Sequence, residues 1–349
     1  MDPVSMLKTL FPGRYETLAS SKATTGSASN VLSASLFGPS VILGGVLRSP
    51  EVMQSVGTDP NVVKQFGYIG TGSGSSADTS SLTRAKSAGL TVSGGDDSYA
   101  KASYGQGVSV GDRSVVEASG RVNVKAGDNS TVLVSGSAGS QVTVGKASVV
   151  IGGDGRDYIT GDDNAAVRGG DGGDFIMVGA GSVVSGDDGD DTIYAGALSI
   201  LDGGQGDDRL EAGVGSTLTG GAGDDILSIV GAPADKPLDY TASSVKGGAG
   251  NDTISITRAA VDIDYARGDG DDIIKGDLGL STLNLKDARY ADVSLTKVTT
   301  GNGNEDLVIS FANSDDTITI KNANLAGNGD FRVMFRGGTE MTLSELMAV

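Results

Sequence analysis

Short β-prone runs recur along the middle of the chain at a constant interval. One series comprises the tripeptides that begin at Ser114, Thr131, Ser148, Ala165 and Ser182, and the step from Ser114 to Thr131 is the interval of the whole series. Each repeat holds a second apolar run, so two runs of about four residues alternate with glycine-containing turns. One coil of this kind cannot bury its own apolar residues, and repeated coils must therefore stack. The pattern predicts a parallel β-solenoid over about residues 91–280.

One of the two turns in each repeat is acidic and has the form Gly-Gly-x-Gly-x-Asp, followed by a large apolar residue. Five copies keep the same constant interval and begin at Gly152, Gly169, Gly186, Gly203 and Gly220. Two further copies begin at Gly247 and Arg267, and a proline-bearing segment at 232–241 accounts for the first displacement. The other turn of each repeat is not acidic, so the two edges of the predicted solenoid differ chemically.

The composition limits the chemistry that the chain can perform. The 349 residues include no Cys, His or Trp, which excludes disulfides, thiolate nucleophiles, Ser-His-Asp triads and His-ligated zinc or haem. The net charge of −18 argues against nucleic acid and anionic membranes as partners. Residues 151–230 hold 15 Asp, 1 Glu and 3 Arg, a net charge of −13. The acidic turns therefore carry most of the charge, and their natural partners are cations.

The acidic turns resemble the calcium-binding nonapeptide G-G-x-G-x-D-x-U-x, with U a large apolar residue, of the RTX (repeats-in-toxin, hemolysin-type) family. The resemblance implies an all-β chain: a right-handed parallel β-solenoid (RTX β-roll) with a β-rich C-terminal cap and a small N-terminal region. It implies Ca²⁺ as the cofactor. Here each nonapeptide alternates with an eight-residue half-coil that lacks the acidic turn. This departure implies calcium along one edge only.

The sixth position of each acidic turn is an Asp, and stacked strands would place these carboxylates about 4.8 Å apart. Such a row repels itself unless cations lie between the coils, and calcium takes six to eight oxygen ligands from carboxylates and carbonyls. Seven turns leave room for several ions, up to about six. The alternatives are a solvated acidic face and a phosphate-binding glycine loop, which the carboxylates disfavour. The residues that we expect to hold calcium are Gly153, Asp154, Gly155, Asp157, Gly170, Asp171, Gly172, Asp174, Asp187, Gly189, Asp191, Gly204, Gly206, Asp208, Gly221, Gly223, Asp225, Gly248, Gly250, Asp252, Asp269 and Asp272.

Residues 281–349 lose the acidic period but keep strand-like alternation. The pattern predicts four strands and a short helix, at 293–298, 307–311, 317–320, 331–335 and 342–347. This flank resembles the hemolysin-type calcium-binding related region that borders many RTX rolls, and its physical role would be to cap the open end of the solenoid. The resemblance implies a C-terminal signal and the type I secretion apparatus as a partner. The N-terminus has no Sec-type pattern, which leaves a cytosolic protein or one that is exported by a route that does not read the N-terminus. Because the resemblance implies such a route, we expect a secreted, extracellular protein, which can be associated with the cell surface.

The chain therefore divides into four predicted regions. Residues 91–150 are metal-poor coils, 151–280 form the calcium-binding roll, and 281–349 form a C-terminal cap with the secretion signal. Residues 1–90 match no pattern, and three interpretations stay open for them: a cap on the first coil, an assembly or anchoring segment, and a small catalytic domain.

Two neighbouring columns of the non-acidic edge are both apolar. One column is Val115, Val132, Val149, Ala166, Val183, Ile200 and Thr217, and the other is Val116, Leu133, Val150, Val167, Val184, Leu201 and Leu218. Successive strand residues face opposite sides, so one column should form an exposed apolar ridge. We expect residues 31–47 or another molecule to cover it. The alternative is that the chain bends there and both columns turn inward.

Three functions are open at this stage. The first is a non-enzymatic, calcium-folded structural protein that self-associates or adheres in a surface layer, filament or biofilm matrix. The second is a protein that binds or modifies extracellular polysaccharide. The third, a toxin or hydrolase, is disfavoured because no nucleophile triad can be completed without His. We therefore expect no enzymatic activity, no nucleic-acid partner and no transmembrane segment.

Overall fold

The computed structural model describes residues 91–231, 235, 241–325 and 327–349. This part of the chain is nearly all β, and its strands stack as parallel coils, which confirms the predicted β-solenoid. It divides into two compact units, the first ending at Gly170 and the second beginning at Asp171. The small N-terminal region and the segment 31–47 lie outside the described residues.

The first unit contains ten strands that alternate between two sheets. They are β1 (Thr91–Ser93), β2 (Tyr99–Ala102), β3 (Gly107–Ser109), β4 (Val115–Ser119), β5 (Asn123–Lys125), β6 (Thr131–Ser135), β7 (Gln141–Val144), β8 (Val149–Ile151), β9 (Tyr158–Gly161) and β10 (Ala166–Asp171). Odd-numbered strands pair with odd and even-numbered with even, always in parallel. Each coil therefore contributes one strand to each sheet.

The strands of the second unit alternate between two sheets in the same way. Its strands are β11 (Phe175–Val178), β12 (Val183–Asp188), β13 (Thr192–Ala195), β14 (Ile200–Gln205), β15 (Arg209–Gly213), β16 (Thr217–Ala222), β17 (Ile226–Val230), β18 (Ser243–Ala249), β19 (Thr253–Thr257), β20 (Val261–Tyr265), β21 (Asp271–Gly276), β22 (Thr282–Leu285), β23 (Val293–Thr299), β24 (Glu305–Phe311), β25 (Thr317–Ile320), β26 (Arg332–Phe335) and β27 (Glu340–Thr342). A 3₁₀ turn spans Tyr290–Asp292, and one helix, α1 (Leu343–Ala348), follows β27.

The parallel stack of the second unit ends in antiparallel strands. β25 pairs with β21 in parallel, and β24 and β23 then add antiparallel strands to that sheet. In the other sheet β26 pairs with β22 in parallel and β27 returns antiparallel. The four predicted strands and the short helix of this flank are confirmed. The antiparallel strands change the edge that the last coil would otherwise present, as expected of a cap.

The core of each unit is a set of aliphatic columns, one residue per strand. In the second unit Val184, Leu201 and Leu218 stack along one sheet and Ile193 and Leu210 along the other, each at most 1% exposed. The in-register pairing places identical positions of successive coils in contact. Side chains alternate along each strand, so every second residue faces inward. The apolar residues at these inward positions form the buried columns.

The predicted constant interval between coils is wrong in the first unit. Val116 pairs with Val132, and Val132 pairs with Val150, so the first of these steps is one position shorter than the predicted interval and the second is one position longer. Val132 consequently lies in the inward column and Leu133 lies on the outer face, opposite to their predicted columns. The turns between these strands differ in length, and such a slip moves a side chain to the other face.

The predicted apolar ridge is partly buried in the described residues, since Val149, Ala166 and Ile200 are half-buried and Thr217 is exposed. Its members Val115 and Val183 are only 4% and 5% exposed. Ser182, Val183 and Val184 are buried in succession, which alternation along a straight strand would not allow. At these two coils both columns are buried, which the alternative expects.

Candidate metal site

Six buried aspartates of the second unit form what we call the aspartate ladder. Its members are Asp174, Asp191, Asp208, Asp225, Asp252 and Asp272, each between 0% and 4% exposed. Five of them directly precede odd-numbered strands and Asp272 lies in β21, so the parallel register stacks them coil upon coil. The structure thus brings together the sixth-position aspartates of the last six turns, as the sequence predicts.

From Asp191 onward, one carboxylate oxygen of each ladder aspartate accepts a backbone N–H of the preceding coil. Oδ1 of Asp208 accepts a hydrogen bond from the backbone N–H of Asp191 at 2.8 Å. The same bond recurs at each step of the ladder with distances between 2.6 and 2.9 Å. These bonds link successive turns, and they occupy only one of the two oxygens.

The second oxygen of four ladder aspartates is buried without a hydrogen-bond partner. The atoms are Oδ2 of Asp191, Asp208, Asp225 and Asp252. An unpartnered neutral oxygen in the interior already costs about 1–3 kcal/mol, and an ionised carboxylate costs more. Each of these oxygens therefore calls for a cation or a proton that the described part of the chain does not supply.

In the turns that begin at Gly186, Gly203 and Gly220, the first glycine lies close against this second oxygen. A Cβ built on Gly203 would collide with Asp208 Oδ2 and would lie 2.5 Å from the carbonyl oxygen of Gly220 in the next coil. Gly220 has the same relation to Asp225 and to the carbonyl oxygen of Gly247. The carboxylate oxygen and the carbonyl oxygen are close enough for one ion to contact both. Hard oxygen donors of these two kinds are the ligands that Ca²⁺ prefers.

Two further glycines of the turn have backbone angles that other residues rarely adopt. Gly204 and Gly206 have φ of 117° and 123°. In this region a Cβ meets the neighbouring carbonyl, so the turn depends on glycine. The third copy departs from the pattern, because Asp187 takes the position of Gly204 with φ of 81°. The Ser185 hydroxyl donates to Asp187 Oδ1 at 2.9 Å and secures this residue.

Burial makes the ladder carboxylates hard to ionise. It raises the pKa of Asp191, Asp208, Asp225 and Asp272 to about 7, and that of Asp252 to about 6. The backbone N–H bonds oppose this shift and the neighbouring carboxylates add to it. Desolvation is thus the main cause, and a cation beside the ladder would reverse it.

The first acidic turn differs from those that follow. Asp157 is buried, but its Oδ1 accepts from the backbone N–H of Ser140 at 2.5 Å and its Oδ2 from that of Gly153 at 3.1 Å. Burial raises the pKa of Asp157 and these two bonds oppose the shift. Asp154 is exposed at this turn. The expected ligands of the first copy therefore surround a carboxylate that is already satisfied.

The last acidic turn also differs. Asp269 is half-buried and its Oδ2 accepts from the backbone N–H of Ala266 at 2.8 Å, which makes it a turn-forming residue. Asp272 ends the ladder and receives the N–H of Asp252.

A second row of acidic side chains lies at the fifth position of the turns, and the sequence analysis missed it. Asp190 Oδ1 accepts from the N–H of Asp207 at 3.0 Å, Asp207 from Asp224 at 2.8 Å, and Asp224 from Asn251 at 2.7 Å. These side chains are exposed. The recurrence of Asp or Asn one residue before every ladder aspartate except Asp174 was the available signal.

The opposite edge of the second unit carries a serine ladder, which the sequence analysis also missed. Ser199 Oγ accepts from the N–H of Ser182 at 3.2 Å, and Ser216 Oγ from the N–H of Ser199 at 3.0 Å. All three serines are at most 1% exposed. Each stands directly before an apolar pair at the same phase of the repeat, and that position was visible in the sequence.

No family model matches the chain. No curated protein matches it either. Within the described ranges, no three His, Cys, Asp or Glu side chains converge as in a conventional metal cluster, and no helix is long and apolar enough to cross a membrane. The candidate site instead combines one carboxylate per coil with backbone carbonyls.

Proposed function

We propose that the chain is a secreted calcium-binding structural protein of the RTX type. Its acidic coils fold on calcium outside the cell, and the folded protein self-assembles or adheres as part of a surface layer, filament or biofilm matrix. The observation that carries the proposal is the row of buried, unpartnered Oδ2 atoms at Asp191, Asp208, Asp225 and Asp252.

The residues of the ladder fit a calcium ion. Asp208 Oδ2 and the Gly220 carbonyl would hold one ion, and Asp225 Oδ2 and the Gly247 carbonyl the next. The bound ion supplies positive charge between coils. The chain's own part is to fix each carboxylate through Oδ1, to expose the carbonyls through glycine turns, and to exclude water from the ladder. Leaving a charge unpaired in such a site destabilises a protein by about 3–5 kcal/mol.

Folding would then depend on the calcium concentration. A site that does not exist in the unfolded chain converts binding free energy into folding free energy. Extracellular calcium modules commonly have dissociation constants of about 10⁻⁴–10⁻³ M. Such a protein stays unfolded where calcium is scarce and folds where it is plentiful, which suits export by the type I apparatus through a signal in residues 281–349.

A structural role is supported by what the outer face of the second unit presents. Met177, Ile226 and Val230 are 44%, 41% and 41% exposed, and all three lie on the sheet that the ladder aspartates precede. Apolar side chains that are left exposed on the outer face of a sheet can contact another surface. The absence of His and Cys from the sequence removes the usual nucleophilic triads.

Calcium titration of the full chain, followed by circular dichroism, tests the proposal. We expect β-structure to increase cooperatively in the range of about 10⁻⁴–10⁻³ M calcium, as the acidic coils fold, and to decrease on chelation. Magnesium at the same concentrations is the control, because its strict octahedral geometry at about 2.1 Å suits a carbonyl-lined turn poorly. A spectrum that is the same with calcium and with chelator overturns the proposal.

The alternative is a polysaccharide-binding protein, and one observation favours it. The rings of Phe175 and Tyr194 lie 5.7 Å apart on the outer face, and the Arg209 guanidinium donates to the Tyr194 hydroxyl at 3.3 Å. Aromatic rings beside polar groups can bind sugars. Electron microscopy of the calcium-loaded protein, combined with retention on polysaccharide columns, discriminates the two. Ordered polymers support the structural protein, whereas a monomer that is retained, and that Tyr194→Ala releases, supports the alternative.

A further inference from the structure

We infer that the calcium requirement is confined to the second unit and that the first unit, residues 91–170, folds without calcium. The inference rests on the proposed function, because it concerns how that same site controls folding. It follows from a comparison of the ladder position in the two units.

The ladder position is not acidic in most of the first unit. The strands β3, β5, β7 and β9 pair in register, so the residues directly before them stack as the ladder aspartates do. Those residues are Gln106, Val122, Ser140 and Asp157. Only the last is an acid, and the column therefore has no repeated buried charge.

Each polar member of this column is satisfied by the first unit itself. Gln106 Oε1 accepts from the N–H of Ser103 at 2.8 Å. Ser140 Oγ accepts from the N–H of Val122 at 3.3 Å and donates to the Gly120 carbonyl at 3.1 Å. Asp157 uses both oxygens, as described above. Among the described residues up to Gly170, no buried side-chain oxygen or nitrogen lacks a partner.

Asp97 and Asp163 of the first unit have cationic side chains beside them. The Arg113 guanidinium binds both oxygens of Asp97 at 2.7 and 2.9 Å, which lowers the pKa of Asp97. Lys146 Nζ lies 3.3 Å from Asp163 Oδ2. These pairs are solvent-exposed and add little stability. They show that the first unit supplies cationic side chains for these acids. In the second unit, by contrast, four ladder carboxylates keep a buried oxygen without a partner among the described residues.

Hydrogen–deuterium exchange of the full chain, read peptide by peptide, tests the inference. Two windows are compared with calcium and with chelator: β4 to β8 in the first unit and β13 to β19 in the second. We expect chelation to raise exchange at least about tenfold in the second window and less than about twofold in the first. If both windows lose protection together, the inference is overturned and the proposed function stands. If neither loses protection, both are overturned.

A substitution that introduces an aspartate at the ladder position of the first unit provides a second test. Ser140→Asp places a buried carboxylate on the column of Asp157, and we expect the first window to become at least about tenfold more protected in calcium than in chelator. Ser137→Asp is the matched control, since Ser137 is exposed in the same turn. Equal protection of the first window with calcium and with chelator in Ser140→Asp contradicts the inference, as does calcium sensitivity of that window in Ser137→Asp.

Discussion

The two edges of the second unit solve one structural problem with different side chains. At both edges a side-chain oxygen accepts the backbone N–H of the preceding coil: Asp208 from Asp191 at 2.8 Å, and Ser199 from Ser182 at 3.2 Å. Serine does so as a neutral group, and the Ser182 hydroxyl donates its own proton to the Gly179 carbonyl at 2.9 Å. Aspartate brings a second oxygen, and at four coils this oxygen has no hydrogen-bond partner among the described residues.

The serine edge shows that a turn between coils does not need a carboxylate. A hydroxyl suffices to link successive coils, so the extra oxygen and its charge serve another purpose. Burying that charge opposes folding unless a cation or a proton neutralises it. The serine edge is therefore an internal control for the aspartate edge.

The largest expected effect is that of pH on the calcium-free protein, because several ladder carboxylates titrate together while the serine edge does not. Their pKa is raised in the folded state to about 6 or 7, from an ordinary value of 3.8. The folded state thus binds protons more tightly than the unfolded state. The stability that this proton binding contributes is complete below the pKa of the unfolded state and is lost as pH rises to about 7.

In chelator, we therefore expect the second unit to melt at a higher temperature at about pH 5 than at about pH 8. Thermal melts followed by circular dichroism measure this. With calcium the dependence should shrink, because the ion replaces the proton. If the melting temperature of the calcium-free protein rises from about pH 5 to about pH 8, the buried oxygens do not belong to carboxylates that need a proton or a cation.

The next largest loss of stability is expected when a side chain is added beside the ladder. Gly203→Val places a branched side chain where Asp208 Oδ2 and the Gly220 carbonyl already lie, and backbone atoms cannot move aside cheaply. We expect a loss of more than about 4 kcal/mol in calcium and the loss of at least one bound ion. Gly301→Val is the control, because nothing lies within 4 Å of its Cβ position. Denaturant unfolding and calcium stoichiometry give the two readouts.

The sharpest comparison exchanges one residue on each edge. Asp208→Asn keeps an oxygen that can accept the N–H of Asp191 and removes the charge. We expect it to destabilise the calcium-loaded protein by about 2–3 kcal/mol and to stabilise the calcium-free protein. Ser199→Ala should destabilise both forms equally, by about 1–2 kcal/mol, because it only orphans the N–H of Ser182. If Asp208→Asn changes both forms in the same direction, the ladder is a hydrogen-bonding device and not a cation site.

The smallest effect is expected for the outer acidic row. Asp190 is exposed, and its bond to the N–H of Asp207 competes with water. We expect Asp190→Ala to change the free energy of unfolding by no more than about 0.5 kcal/mol. A loss as large as that of Asp208→Asn would place this row among the ligands.

The repeat predicts much of this structure, and its failures have local causes. The stacked coils, the aliphatic columns and the buried position of Asp208 all follow from spacing and alternation. Val132 and Leu133 were misplaced because both are apolar, so the pattern could not detect turns of unequal length. Asp157 matches the repeat but loses its open oxygen to the N–H of Gly153. Whether an individual side-chain oxygen finds a hydrogen-bond donor depends on the backbone geometry, which the spacing of residues does not determine.

The most direct test of the ladder is anomalous X-ray diffraction from crystals grown in calcium. The account predicts a row of calcium peaks between successive coils of the second unit, one of them about 2.3–2.6 Å from both Asp208 Oδ2 and the Gly220 carbonyl oxygen. Ordered turns without such peaks, in crystals that hold calcium, would contradict it.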